Sequence, residues 1–355
     1  MRNQSIIVVR AMITICSLAL GCASTVRAET PEWFTCPDSS AFDPRSDRVL
    51  GARNPRLQRP SAQAQTSADI EGHARLSAMS YAMYDAVVAG ADPVSRLAST
   101  LRPVALVYGD PGPDERFRRP NAFTRDTRTF YGVVADEPAT GRRLVILRGT
   151  VQPNEWLRNV QARLLPFVRS RIQRSFPTGA RVHNGFLKIY SSLELESLAD
   201  GARRPFADAL PDLIGGRTVT FVGHSLGGAL ATLAGVDAAG RLPSQAERLR
   251  IITFASPRVG DPGFAKLAKA VGRIDRVCNL VDLVPAVPPS TRLAPYVHVG
   301  QVYRVSSFDW PHLENELSKA GEQVTCWHSI AAYAYMTAPN KTTEGLDGCR
   351  RQNGQ

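Results

Sequence analysis

One segment constrains this chain more than any other: Thr218-Val219-Thr220-Phe221-Val222-Gly223-His224-Ser225-Leu226-Gly227-Gly228, followed by an Ala- and Leu-rich stretch. A β-branched and aromatic run, a small-residue turn and a helix-forming segment in succession predict strand, sharp bend and helix. Gly223 and Gly227 flank Ser225 and let the strand and helix approach closely. The bend exposes the serine hydroxyl at a helix N-terminus, where the Leu226 N–H and the helix dipole favour negative charge. One element thus offers a nucleophile and half of an oxyanion hole.

The surroundings fit such an element. Apolar runs at Leu249–Phe254 and Arg276–Val281 alternate with helical patterns at Gly228–Ala239 and Pro262–Ala270. Alternation of this kind predicts an α/β fold with a mainly parallel central sheet and helices on both faces. Upstream, Thr129–Ala135 and Arg143–Leu147, joined by Asp-Glu-Pro-Ala-Thr-Gly, predict a hairpin. Between Ala68 and Ala89, apolar residues from Ile70 and Ala74 to Met83 and Val87 recur at helical spacing. An amphipathic helix is expected there.

A serine hydroxyl needs a base, and the base needs an orienting carboxylate, in the chain order Ser, acid, His for this arrangement. Asp282 leads the search for the acid, because it follows an apolar strand and so falls at the sheet edge where α/β sites gather. Asp261 is expected to cap the next helix. Asp275 precedes its strand, and Asp309 lies in a later loop. Among the histidines beyond Asp282, His328 stands just before the helical run Ile330–Met336, where a loop can carry it over the sheet edge. His298 lies in a strand-like pattern and reads as a satisfied core residue, His312 as surface. His224 should turn away from the pocket. The second oxyanion donor is expected after the strand Leu144–Leu147, at Thr150, through its N–H and its hydroxyl.

With these residues assembled, the chain resembles the class 3 lipase family of α/β-hydrolases, typified by secreted fungal triacylglycerol lipases. The resemblance runs from Ala74 to about Tyr335. It rests on the Tyr-containing first helix, Leu147-Arg148-Gly149-Thr150, Trp156 to Asn159, Val182-His183-Asn184-Gly185-Phe186, the Gly-His-Ser-Leu-Gly-Gly bend, Phe254-Ala255-Ser256-Pro257-Arg258-Val259-Gly260 and Asn279 to Pro289. It implies Ser225 as nucleophile, Asp282 as acid, His328 as base, and Thr150 with Leu226 as oxyanion hole. The family commonly carries Asp beside its catalytic His, whereas this chain reads Cys326-Trp327-His328-Ser329. The resemblance also implies a lid at about residues 151–168, with Trp156, Leu157, Leu164 and Phe167 facing a lipid cleft.

Composition narrows the setting. With 43% hydrophobic and 21% charged residues, the 355-residue chain can bury a sizeable core. Residues 1–28 read as an export signal: a basic start, an apolar run from Ala11 to Ala23 and a small-x-small site ending at Ala28. That run is short of the ~20 residues of a membrane-crossing helix. Acylation at Cys22 is an alternative, although the usual Leu three positions earlier is absent. Residues 29–68 form an extended arm, 69–340 the catalytic domain and 341–355 a tail. Signal removal takes away Arg2, Arg10 and Arg27 and no acid, lowering the formal charge from +11 to +8.

From Leu157 to Val182 the chain carries Arg158, Arg163, Arg169, Arg171, Arg174 and Arg181 and no acid, interleaved with apolar residues. This pattern suits an anionic lipid surface, and no interleaved aromatic and basic motif points to nucleic acid. Cys36, Cys278, Cys326 and Cys349 remain after export, an even set with three possible disulfide connectivities. The expected reaction is hydrolysis of lipid esters, needing no metal or organic cofactor, with a structural Ca²⁺ left open. Phospholipase A1 activity, acyl transfer and a catalytically silent lipid-binding role are the rivals.

Overall fold

The apolar runs pair, together with shorter flanking segments, into one nine-stranded sheet. The computed structural model describes Cys36 and residues 63–110, 128–150, 163–167, 179–279, 282–305 and 327–338. In chain order these residues form α1 (Gln63–Val88), β1 (Arg102–Gly109), β2 (Thr129–Glu137), β3 (Arg142–Leu147), β4 (Leu164–Pro166) and β5 (Arg181–His183). Then come α2 (Asn184–Ser192), β6 (Glu194–Ser197), β7 (Arg203–Pro205), α3 (Phe206–Ile214), β8 (Val219–His224) and α4 (Leu226–Arg241). The chain continues with β9 (Leu249–Phe254), α5 (Pro262–Ala268), β10 (Arg273–Asn279), β11 (Gln301–Val305) and α6 (Ile330–Thr337).

The strand order is β11-β10-β9-β8-β3-β2-β1-β6-β7, and β4 pairs separately with β5. Pairing is parallel from β11 to β3. From β3 to β7 it is antiparallel, with β2 and β3 forming the expected hairpin. The parallel half carries the Ser225 bend at the C-terminal end of β8.

Alternation along β3 shows how the two faces are filled. Val145 and Leu147 enter one core with Phe186 of α2, Leu210 of α3 and Leu230 of α4. Leu144 and Ile146 enter the other, with Met83 of α1 and Tyr333 of α6. A strand covered on both sides reads as a continuous apolar run, which is why β3, β8 and β9 were legible. Residues 226–239 of α4 are all buried. Its Ala and Gly content lets it lie close to the sheet: a Cβ on Gly235 would stand 2.5 Å from the Ile251 side chain of β9.

Several expectations shift. The first helix begins at Gln63, ahead of the expected 68. Asp275 lies inside β10 instead of before it, buried between Arg250 and Arg273, whose guanidinium Nε atoms donate at 2.9 and 3.0 Å. Asp261 caps α5 as expected, accepting the Phe264 N–H at 2.9 Å. Cys36 is joined to Cys278 of β10 by a disulfide with Cα atoms 5.9 Å apart. Arg304 of β11 donates from Nη2 to the Cys36 carbonyl at 2.9 Å, so the cysteine is fixed to the edge strand β11 and to its neighbour β10. The export signal, Cys22, Cys326, Cys349 and the tail lie outside the described residues, as does the arm apart from Cys36 and residues 63–68.

Candidate active site

The bend after β8 forces Ser225 to φ 56°, a region that L-residues rarely adopt. Two contacts impose it. A Cβ on Gly223 would stand 2.1 Å from the Gly227 carbonyl oxygen, and one on Gly227 would stand 2.2 Å from the Leu147 carbonyl oxygen. Only glycines allow β8 to turn into α4 while α4 rests on the end of β3. The Ser225 N–H donates to the Phe254 carbonyl at 2.9 Å, anchoring the bend to β9.

Ser225 Oγ lies 2.7 Å from His328 Nε2. His328 Nδ1 lies 2.9 Å from Asp282 Oδ2 and 3.1 Å from Oδ1. An ionised carboxylate only accepts, so Nδ1 carries the proton and Nε2 is left to accept from the serine hydroxyl. All three residues are buried. Asp282 is further satisfied by the Val284 N–H, 2.9 Å from Oδ1, and by the Tyr333 hydroxyl, 2.8 Å from Oδ2. Burial, reinforced by the Asp282 charge, pushes the Tyr333 phenol well above its ordinary pKa and keeps it a donor. That phenol accepts the Asn279 N–H at 2.9 Å, while Asn279 Nδ2 donates to the Trp327 carbonyl at 3.1 Å. The acid loop and the histidine loop are thereby tied to one another.

The loop after β3 completes the surroundings. Arg148 is fully buried, donating to the carbonyls of Phe130 at 2.6 Å and Gly149 at 2.7 Å, with its guanidinium 3.9 Å from the centre of the Tyr84 ring. A Cβ on Gly149 would stand 2.8 Å from Ser225 Cβ, so this loop lies directly against the serine. Thr150 follows it, 8% exposed, with Oγ1 buried and lacking a hydrogen-bond partner. Leu226 opens α4, where the first amides have no intrahelical acceptor. An oxygen bearing developing negative charge beside Ser225 would meet donors on both sides.

The structure thus brings together Ser225, Asp282, His328, Thr150 and Leu226. It sets the competing residues elsewhere. Asp261 and Asp275 serve the cap and ion pairs already described. His298 is buried, with Nε2 2.7 Å from the Pro285 carbonyl, and burial together with Arg276 and Arg258 holds it well below the usual imidazole range. His224 turns its ring behind His328, centroids 4.8 Å apart. Asp309 and His312 lie outside the described residues.

Of the expected lid residues, Leu164 is half-buried in β4, paired with His183. Phe167 corrects the expectation: it is buried edge-on against Phe264 at 5.4 Å between centroids, in the core rather than over a cleft. Trp156 and Leu157, and Arg158, Arg169, Arg171 and Arg174, lie outside the described residues. Arg163 is exposed, and its carbonyl accepts the Asn184 N–H at 2.9 Å. Tyr333 and Tyr81, the latter on α1, are contributors to the site that the sequence reading did not single out as such.

Comparison with known proteins adds to this geometry. Residues 144–292 match the family described as lipase (class 3). A rice protein named phospholipase A1-II 4 (Oryza sativa subsp. japonica) is 34% identical over 213 residues, covering 56% of this chain and 52% of its own. The chloroplastic galactolipase DONGLE of Arabidopsis thaliana is 29% identical over 227 residues, covering 58% of this chain and 48% of its own. The chain spans about half the length of these curated relatives. Among solved structures, a deletion mutant of the Rhizomucor miehei lipase propeptide complex superposes with TM-score 0.50 at 21% identity, covering 69% of each chain. The shared architecture is the α/β-hydrolase fold.

Proposed function

We propose that the protein is a serine carboxylic-ester hydrolase acting on lipid esters, a reading supported by the match of residues 144–292 to the class 3 lipase family. The observation that carries the reading is the continuous path from Asp282 through His328 Nδ1 and Nε2 to Ser225 Oγ at 2.7 Å. Ser225 Oγ attacks the ester carbonyl carbon while His328 Nε2 takes its proton, and Asp282 stabilises the imidazolium. The carbonyl oxygen becomes an oxyanion held by the N–H groups of Thr150 and Leu226, with the unpartnered Thr150 hydroxyl as a further donor. Collapse of this intermediate expels the alcohol, which leaves with the proton from His328. Water, deprotonated by the same imidazole, then attacks the acyl-enzyme and releases the fatty acid.

A second reading narrows the substrate to phospholipid cleaved as by a phospholipase A1. It is favoured by the rice relative's name and by the basic segment around Arg158, Arg163, Arg169, Arg171 and Arg174, which would dock on anionic lipid, Arg181 being ion-paired with Asp261 at 2.9 Å. Export with cleavage near Ala28 is part of the proposal, since the cysteine pair at Cys36 and Cys278 suits an oxidising compartment.

The test is hydrolysis of p-nitrophenyl butyrate, p-nitrophenyl palmitate and phosphatidylglycerol vesicles by wild type and Ser225→Ala, with fluorophosphonate labelling in parallel. Turnover and labelling lost together in the variant are expected. A wild type that neither turns over an ester nor labels makes it a silent binding protein. Replacement of Arg158, Arg163, Arg169, Arg171 and Arg174 by Gln should weaken sedimentation with the anionic vesicles, and unchanged sedimentation removes the docking segment.

A further inference from the structure

Tyr81 of α1 stands far from Ser225 in sequence, yet its hydroxyl joins the two loops on which the reaction depends. Tyr81 Oη lies 2.7 Å from His224 Nδ1 and 3.0 Å from the Gly149 nitrogen, which donates to it. On the far side of the ring, His224 Nε2 lies 2.7 Å from the His328 carbonyl oxygen. The carbonyl only accepts, so Nε2 carries the proton and donates. Nδ1 is then the acceptor, and the Tyr81 hydroxyl donates to it. The polarity of every bond is fixed: Gly149 N–H to Tyr81, Tyr81 O–H to His224, His224 N–H to His328.

We propose that Tyr81 and His224 are positioning residues that lock the oxyanion loop and the His328 backbone to each other through this directed relay. The inference rests on the ester-hydrolase reading for its consequence in catalysis, but its bond directions are independent of that reading. On one end, Gly149 is held from both sides, its N–H by Tyr81 and its carbonyl by Arg148 Nη1 at 2.7 Å. That carbonyl shares a peptide plane with the Thr150 N–H, so fixing it aims the Thr150 amide. On the other end, the His328 carbonyl is held from behind by a ring tilted 38° against the imidazole of His328, with centroids 4.8 Å apart.

The relay works only with a neutral His224, because a charged ring has no lone pair for Tyr81 and would oppose the imidazolium formed on His328. Its surroundings enforce neutrality. His224 is buried, and the groups packed on it are Tyr81 from α1, His328 from the loop before α6 and Tyr333 from α6. None of these is an acid. Burial first, and then the neighbouring His328, push the His224 pKa well below its ordinary value. The oxyanion loop packs tightly on the relay: a Cβ on Gly149 would stand 2.6 Å from both the Tyr81 hydroxyl and the His224 carbonyl oxygen.

The experiment combines ¹⁵N NMR of histidine-labelled full-length mature protein with kinetics on p-nitrophenyl butyrate. Near neutral pH, His224 should show a protonated Nε2 and an unprotonated Nδ1; an Nδ1–H or doubly protonated ring overturns the relay whether or not the protein hydrolyses esters. Tyr81→Phe keeps the volume and removes the hydroxyl, so kcat should fall about tenfold with KM little changed, a loss of about 1.4 kcal/mol. His224→Gln, which can still accept from Tyr81 and donate to His328, should retain most of kcat, and His224→Leu should not. The Tyr81→Phe, His224→Leu double variant should be no slower than the slower single variant, since both break one relay. Strictly additive losses, or losses tracking thermal unfolding rather than kcat, would sink the proposal. An inactive, unlabelled wild type with the expected tautomer would instead reject the hydrolase reading and leave the relay standing.

Discussion

At the scale of single residues, Asp282 is the most heavily satisfied group of the site, accepting from His328, Val284 and Tyr333. Its charge sets the direction of every proton that follows. Replacing it by Asn would offer an amide able to donate to Nδ1, so that Nε2 would carry the proton and could no longer accept from Ser225. For Asp282→Asn we expect kcat on p-nitrophenyl butyrate to fall by about 10⁴-fold with the fold intact, the penalty of a wrong tautomer in a serine triad. A fall of less than tenfold, with an unchanged circular dichroism spectrum, would argue against Asp282 as the orienting acid. Ser225, Asp282 and His328 were legible in sequence because a bend motif and a fixed chain order restrict the choices. Tyr333 was not: it lies within the apolar run of α6, where its ring packs as any core aromatic does and only its hydroxyl reaches the carboxylate. The Tyr-containing first helix was part of the resemblance, but the link from Tyr81 to His224, 143 positions away, was not legible.

At the scale of elements, legibility followed apolar density. β3, β8 and β9 bury both faces and announce themselves as unbroken runs, whereas β7 is exposed at every residue and gives no apolar signal. β1 is interior to the sheet, between β2 and β6, but it starts Arg102-Pro103. Proline normally marks an edge or a bulge, and here the pairing with β2 does slip between Pro103 and Ala105. The bulge accommodates a residue that would otherwise deny the strand its place. The spacing of α4 from the sheet is set by absent side chains, most directly where Gly235 faces Ile251. Gly235→Val should overpack that contact and cost about 1–3 kcal/mol of stability, read as a lower midpoint in urea. The paired change Gly235→Val with Ile251→Ala should recover part of it, and no recovery would place the strain elsewhere.

At the scale of the whole molecule, buried imidazoles set how the fold answers to acid. His73, His224 and His298 are all held below their ordinary pKa of 6.5, chiefly by burial. Below about that pH the unfolded chain binds protons that the folded chain refuses, so stability falls as pH falls. Asp136, held low by its hydrogen bonds from Arg143, contributes in the same direction, its share being lost as pH drops through the ordinary 3.8. Thermal midpoints should therefore be level above pH 7, decline below about 6.5 and drop further near 4. A midpoint unchanged between pH 7 and 5 would contradict three buried neutral histidines.

The bond between Cys36 and Cys278, 242 positions apart, draws most of the chain into a covalent ring. Ser225, the oxyanion loop and Tyr81 lie inside that ring, while Asp282 and His328 hang from it as a pendant. A protease that cuts once within the ring opens a circle and liberates nothing. A single cut between Asp282 and His328 separates the serine from its base. The molecule is thus braced unevenly against a single cut, and its point of vulnerability is the stretch of chain beyond Cys278 that carries the His328 imidazole.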